Sequence, residues 1–191
     1  MNHRLPLALL ALLITSPGIA EDPAPAWVDQ ARAGAAALGS ELQQALRTAM
    51  AEGGPVAGIE VCKTRAPDIA GEVSVDRVSV GRTSLKVRNP DNIPDPWEAR
   101  ILQDFERRLA AGETPVEIET IAVRRQDDRR YGHWMKAIPT QDLCVACHGS
   151  NLAPEIAAAI DKAYPDDQAR GFSVGELRGA FSVKVELNDK P

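Results

Sequence analysis

Cysteine, histidine and aromatic side chains are all scarce in this 191-residue chain: three Cys, three His, three Trp, two Tyr and three Phe. Three cysteines exclude a disulfide framework as what holds the fold together. With so few rings, a core of this size must come from aliphatic residues or be completed by a bulky group from outside the chain. Basic charge is not in excess. The 22 Lys and Arg face 27 Asp and Glu, a formal net charge of −5, which argues against nucleic acid or anionic lipid as partner. Apolar runs of membrane length are missing as well. The one continuous stretch, Leu5 to Ile14, is too short for an ordinary span. No Ser/His/acid arrangement, phosphate loop or calcium loop is recognisable, and paired acids such as Asp127-Asp128 and Asp166-Asp167 stand in loop-like sequence.

What is present is concentrated in Cys144-Val145-Ala146-Cys147-His148, a C-x-x-C-H sequence. That spacing is the attachment signature of a c-type haem. Two thiols three positions apart can add across the two vinyl groups on one porphyrin edge, and the next residue then brings an imidazole nitrogen under the iron. Two other chemistries use some of the same residues. A thioredoxin-like dithiol needs C-x-x-C at a strand-to-helix junction, and a structural zinc could recruit Cys62, Cys144, Cys147 and His148. The zinc reading requires adjacent Cys147 and His148 to turn toward one metal, and no second C-x-x-C exists to help. Haem c, one and covalent, is the expected cofactor.

The N-terminus agrees with that chemistry. Arg4 supplies a positive start, Leu5 to Ile14 the apolar run, and Gly18-Ile19-Ala20 the small residues read by signal peptidase. The expected organisation is a signal peptide over 1–20, a Pro/Ala-rich leader over 21–26 and a single domain over 27–191. The expected address is the periplasm, without stable membrane insertion after cleavage.

Along the remaining chain, Val28, Ala31, Ala35, Leu38, Leu42, Leu46 and Met50 recur at helical steps. Gly53-Gly54-Pro55 predicts a stop and a second helix opened by Pro55, with Ile59, Cys62 and Ala66 on one face and a break at Pro67. Val78, Val80, Leu85 and Val87 read as strand, Arg88 to Pro96 as connector, and Trp97, Ile101, Leu102, Phe105 and Leu109 as a helix ending at Gly112. Strands are expected over Val116 to Val123, Tyr131 to Ile138 and Leu177 to Leu187, and a short helix over Ala153 to Ala163. Helices first, then strands interrupted by one helix, imply an α+β fold with an antiparallel sheet and helices on one side. Arg124-Arg125 and Arg129-Arg130 around Gln126-Asp127-Asp128 mark a solvated hairpin turn.

Several segments occur here in a telling order: Val61-Cys62-Lys63 with Ala66-Pro67-Asp68-Ile69-Ala70, Arg82-Thr83-Ser84 with Arg88-Asn89-Pro90-Asp91-Asn92, Pro96-Trp97-Glu98, Cys144 to Gly149, and Gly179-Ala180-Phe181-Ser182-Val183. Together they resemble a family of exported, PAS-like c-type haem proteins. The resemblance spans about Trp27 to Leu187 and is far more specific than C-x-x-C-H alone. It implies a PAS-like antiparallel sheet with N-terminal helices packing over a covalently bound haem. It also implies a cysteine thiolate from an N-terminal helix as the sixth iron ligand, a position matched by Cys62. Roles for Arg82, Arg88 and Asn89 do not follow from it.

The residues bear on Cys62 independently. Two thioethers leave one thiol unpaired, and a free thiol in an oxidising compartment is a liability unless it is buried or used. Met135, Met50 and His133 compete as sixth ligand, as does an open site; a hydrogen-bonding or surface role is the plainer reading of His133. Arg82 and Arg88 are the candidates to face haem propionates. Three functional classes remain: redox or gas sensing through an unidentified signalling or redox partner, soluble electron transfer, and, behind these, a sulfur-compound oxidoreductase for which no substrate site is legible.

Overall fold

Residues 24–188 are described by a computed structural model of the chain. The alternating segments form four strands, β1 (Val78–Thr83), β2 (Glu119–Gln126), β3 (Arg129–Pro139) and β4 (Leu177–Glu186). They hydrogen-bond in the order β1-β4-β3-β2, every neighbouring pair antiparallel. The β2–β3 turn is closed by Asp127 and Asp128, both with positive φ, the conformation that matches a two-residue hairpin to strand twist.

Because side chains alternate across a strand, the sheet has two apolar faces and each needs a cover. Val80, Trp134, Val183 and Val185 pack under α1 (Ala26–Val73) through Val28, Ala31, Ala35 and Leu38. On the other face, Met135, Ala137 and Ala180 pack under α2 (Pro96–Ala110) through Leu102 and Phe105. The expectation of helices on one side is therefore corrected: the fold is α+β, with the sheet covered on both faces. Residues such as Met135 and Ala137 point away from Trp134, and a single helical layer would have left them in water.

The long helix is a hairpin. Gly54 adopts φ 69° and ψ −169°, a backbone open to glycine and costly for other residues, and Pro55 restarts the helix. The second half folds back along the first: Gly58 lies against Leu46 and Met50, and Ile69 joins the cluster of Leu38 and Val28. Pro67 does not break this half, which runs on to Val73. Pro67 is exposed while Ala66 and Ile69 beside it are buried, so packing on the inner side offsets the lost backbone hydrogen bond on the outer side. Leu85 and Val87 lie beyond β1, and Val116 sits in a 3-10 turn (Pro115–Glu117) before β2. The haem-type motif forms α3 (Asp142–His148), followed by α4 (Pro154–Ala163). Among the described residues no helix is long and apolar enough to cross a membrane. The proposed signal peptide lies outside the described residues.

Candidate functional site

The motif helix α3 is short, and its neighbours hold it at the backbone. The His148 carbonyl accepts from Phe172 N–H at 2.9 Å and that of Gly149 from Gly171 N–H at 3.2 Å. Arg88 Nη2 donates to the Cys147 carbonyl at 2.7 Å. Gly149 is required where the chain leaves the helix, since a Cβ there would lie 2.6 Å from the Val145 carbonyl oxygen. Arg88 is itself anchored, its Nε donating to Asp167 at 2.9 Å, and the Asp167 carboxyl is held down at about 2 by its bonds to Arg88 and Arg170 and to the Ala169 N–H, which together outweigh the cost of burial. Asn89, the other unassigned position, accepts from Asp91 N–H and caps the turn that follows.

His148 is oriented by one bond. Its Nδ1 lies 2.7 Å from the Ala169 carbonyl, an oxygen that can only accept, so Nδ1 carries the proton and Nε2 is left as the lone-pair donor. Burial, with Arg178 and Arg88 close by, pushes its pKa to about 3, which keeps the ring in the neutral form that binds metal. Phe172 meets the ring edge-on, with centroids 6.3 Å apart.

Cys147 packs on a cluster of Ile59, Ile156, Ile160 and Tyr164, so α1, α3 and α4 meet at the motif. Ile59 stands one turn before Cys62 on the returning half of α1, which brings Cys62 to the same place. Cys62 is exposed, yet protein crowds its thiol. Burial raises its pKa, while Arg82, Arg88 and Arg178 pull it back down. Burial likewise raises the Cys147 thiol, which also responds to Arg88, Cys62 and Cys144. Cys62, Cys144, Cys147 and His148 thus share one electrostatic neighbourhood. Among the described residues no three His, Cys, Asp or Glu side chains are arranged to hold a metal ion, so the Cys3His zinc set is not assembled.

Three arginines converge here. Arg88 is neutralised by Asp167, but Arg82 and Arg178 have no carboxylate partner among the described residues. Burial drives the pKa of Arg82 down and that of Arg178 to about 10, with mutual repulsion adding to the latter. Half-buried cations without a counterion call for an anion. A neutral imidazole with a free nitrogen, two thiols on one helix, a third thiol nearby and two unmatched arginines fit a haem with its pair of propionates.

The competing ligands lie elsewhere. Met135 is fully buried in the α2-side cluster, and Met50 packs against Gly58 inside the helical hairpin. His133 is also fully buried on the α2 side, with both ring nitrogens used. Arg124, expected in a solvated turn, instead reaches inward: it donates to Asp95 at 3.0 Å, faces His133 Nδ1 at 3.0 Å and stacks on Trp97 at 4.5 Å. Alternation in β2 puts it on the α2 face while Arg125 points the other way. Sequence reasoning missed Arg178, Asp167 and Ala169. None of the three carries a local signal: a register shift near the start of β4 breaks the alternation at Arg178, and Asp167 and Ala169 matter only through their contacts.

The family model described as Tll0287-like matches residues 21–186. The chain belongs to the Tll0287-like family. The resemblance carried by the ordered motifs is thereby borne out. In fold the chain is similar to the crystal structure of the cyanobacterial heme-protein Tll0287, with a TM-score of 0.62 over 88% of this chain and 100% of that one, at 23% identity. No curated protein is a match.

Proposed function

We propose that this family member is an exported protein carrying one covalent haem c, and that it responds to redox state or a gas at the iron. Cys144 and Cys147 form the thioethers, His148 Nε2 is the proximal ligand and the Cys62 thiolate the distal one. Arg82 and Arg178 meet the propionates, while Arg88 stays with Asp167 and braces the motif helix. The observation that carries the reading is the His148–Ala169 bond, which fixes the ring in the tautomer an iron needs. The similarity in fold to a cyanobacterial heme-protein supports the cofactor, and residues 1–20 support the periplasmic address.

The bound haem supplies reversible one-electron chemistry at its iron. This chain's residues determine what that does. Cys62 rides on the half-helix that follows Gly54, and a glycine at φ 69° is a joint about which that half can adjust. A thiolate holds ferric iron better than ferrous iron, so Cys62 would be held less tightly against a reduced haem than against an oxidised one. The returning half of α1 then differs between the two states, and a separate partner protein can distinguish them.

Absorption and EPR spectra of the ferric and ferrous protein, with CO added to the latter, test this. The expected results are a low-spin ferric centre with thiolate character, haem that survives denaturing electrophoresis, and a ferrous form that binds CO. Cys62→Ser changes the ferric ligand set and raises the potential. Haem freely extracted by acidified organic solvent overturns the cofactor assignment, and an unchanged spectrum in Cys62→Ser overturns the distal ligand. Hydrogen exchange over 55–73 that is identical in the two redox states, with fast electron exchange to a cytochrome, makes electron carrier the better description.

A further inference from the structure

The two edges of the sheet are finished differently. Along β1 the chain covers its own edge: Val80 N–H donates to Ser74 Oγ at 2.9 Å, and Thr83 Oγ1 and Ser84 N–H donate to the Asn92 carbonyl at 3.2 and 3.3 Å. β2 has no such cover among the described residues. The Ile118 carbonyl accepts from Ala137 N–H, and Gln126 closes the hairpin with Arg129. Even-numbered residues of β2 therefore bond to β3, and Glu119, Ile121, Val123 and Arg125 aim their N–H and C=O groups outward. Of these groups one has a partner, the Glu119 carbonyl, which accepts from Arg108 Nη1 at 3.3 Å.

The side chains of the same four residues lie on the sheet face that α1 covers over β1, β4 and β3. Over β2 the cover gives out, and Ile121 and Val123 are 44% and 54% exposed. Exposed edge strands ordinarily carry a charge or a proline at mid-strand to prevent pairing. Here the middle is Ile121-Ala122-Val123, and the charges stand at the two ends with opposite signs, Glu119 and Arg125.

We propose that β2 pairs antiparallel with β2 of a second copy of this chain, about a two-fold axis at Ala122, joining the two sheets into one. This register sets Glu119 opposite Arg125 at both ends, Ile121 opposite Val123, and Ala122 opposite itself. The neighbouring registers that keep the same backbone bonds are poorer. Centring on Ile121 sets Glu119 against Val123, and centring on Val123 sets Glu119 against Asp127. Glu119 is fixed in place, Trp134 Nε1 donating to it at 3.0 Å and Arg32 pairing with it from α1, so Arg125 of the second copy joins Arg32 at the same carboxylate. An isologous contact of this kind closes on itself and leaves no strand open at that edge.

Sedimentation of the mature, haem-loaded protein tests the proposal directly. The expected result is a dimer, and its loss in Ile121→Lys and Val123→Lys, with the haem spectrum unchanged as evidence of folding. A register test stands beside it. Facing residues of a non-hydrogen-bonded antiparallel pair have Cα atoms about 4.5 Å apart, within disulfide reach. Ala122→Cys therefore yields a covalent dimer under mild oxidation. Thr120→Cys, which faces Arg124 of the second copy, does not. A wild-type monomer at hundreds of micromolar, a dimer that survives both lysine variants, or cross-linking of Thr120→Cys as readily as Ala122→Cys overturns the proposal.

Discussion

His133 and His148 are both half-buried or deeper, both have pKa values pushed down by burial, and they stand on opposite sides of the sheet. Their difference lies in what remains free. Arg124 Nη1 can only donate, so His133 Nδ1 accepts and its Nε2–H points to Ser182 Oγ at 2.8 Å; Ser182 in turn donates to Glu98 at 2.6 Å. Trp97 lies on the ring with centroids 4.5 Å apart. Both ring nitrogens of His133 are spent on its neighbours in the sheet, Arg124 and Ser182, which in turn hold Asp95 and Glu98 at the start of α2. His148 spends one nitrogen on Ala169 and keeps the other. A buried histidine is therefore no evidence of a metal site until its second nitrogen is accounted for.

The largest effect is expected at the free nitrogen of His148. His148→Ala removes the ligand proposed for the iron, and the haem content of purified protein, read by pyridine haemochrome, should drop by about ten-fold or more. The remaining chain should melt much earlier, since a cofactor that binds only the folded state no longer contributes its stability. His133→Ala should act the other way round. The haem spectrum stays, while stability falls by about 2–4 kcal/mol because Glu98, Ser182 and Arg124 lose a buried partner and a cavity opens. Denaturant midpoints measure it, and a changed iron ligand set in that variant would contradict the separation of the two sites.

Acid sharpens the same contrast. The folded pKa of His133 lies below its ordinary 6.5, chiefly because burial disfavours the cation. Above about pH 6.5 the ring is neutral in both folded and unfolded chains. As pH falls below that, the unfolded chain takes up a proton the folded one refuses, and stability declines until the folded pKa is reached. The slope is at most about 1.4 kcal/mol per pH unit for one proton. His133→Gln should flatten stability against pH between about 6.5 and 5 relative to wild type. The smallest effect is expected at Asp95, which caps α2 through Trp97 N–H and Glu98 N–H, both at 2.8 Å, and also holds Arg124. Asp95→Ala should cost about 1 kcal/mol and leave the haem spectrum alone.

Much of this was legible in the chain. Asp95-Pro96-Trp97-Glu98 announces a capped helix, and the capping box forms with both of its bonds. Alternation over Leu177 to Leu187 gives β4 to within one residue, and Gly53-Gly54-Pro55 marks the turn of the hairpin. Pro67 misleads because propensity counts the lost backbone bond and not the buried Ala66 and Ile69 on either side. Arg124 misleads because a run of charge looks solvated until the strand's alternation sends every second residue inward. Arg178 and Asp167 were silent, as their meaning lies in their closeness to His148 and Arg88, residues that stand well apart from them in the chain.

Most local elements, the C-x-x-C-H motif and the family can be read along the chain, because each depends on spacing along a backbone of fixed geometry. Tertiary structure alone decided which histidine is spent and which is free. It also decided that the sheet is covered on both faces, and that two arginines meet beside Cys62 without a counterion. Those are matters of burial and partnership between residues far apart in the chain, and a hydrogen bond or an unpaired charge is defined only once both of its neighbours are in place.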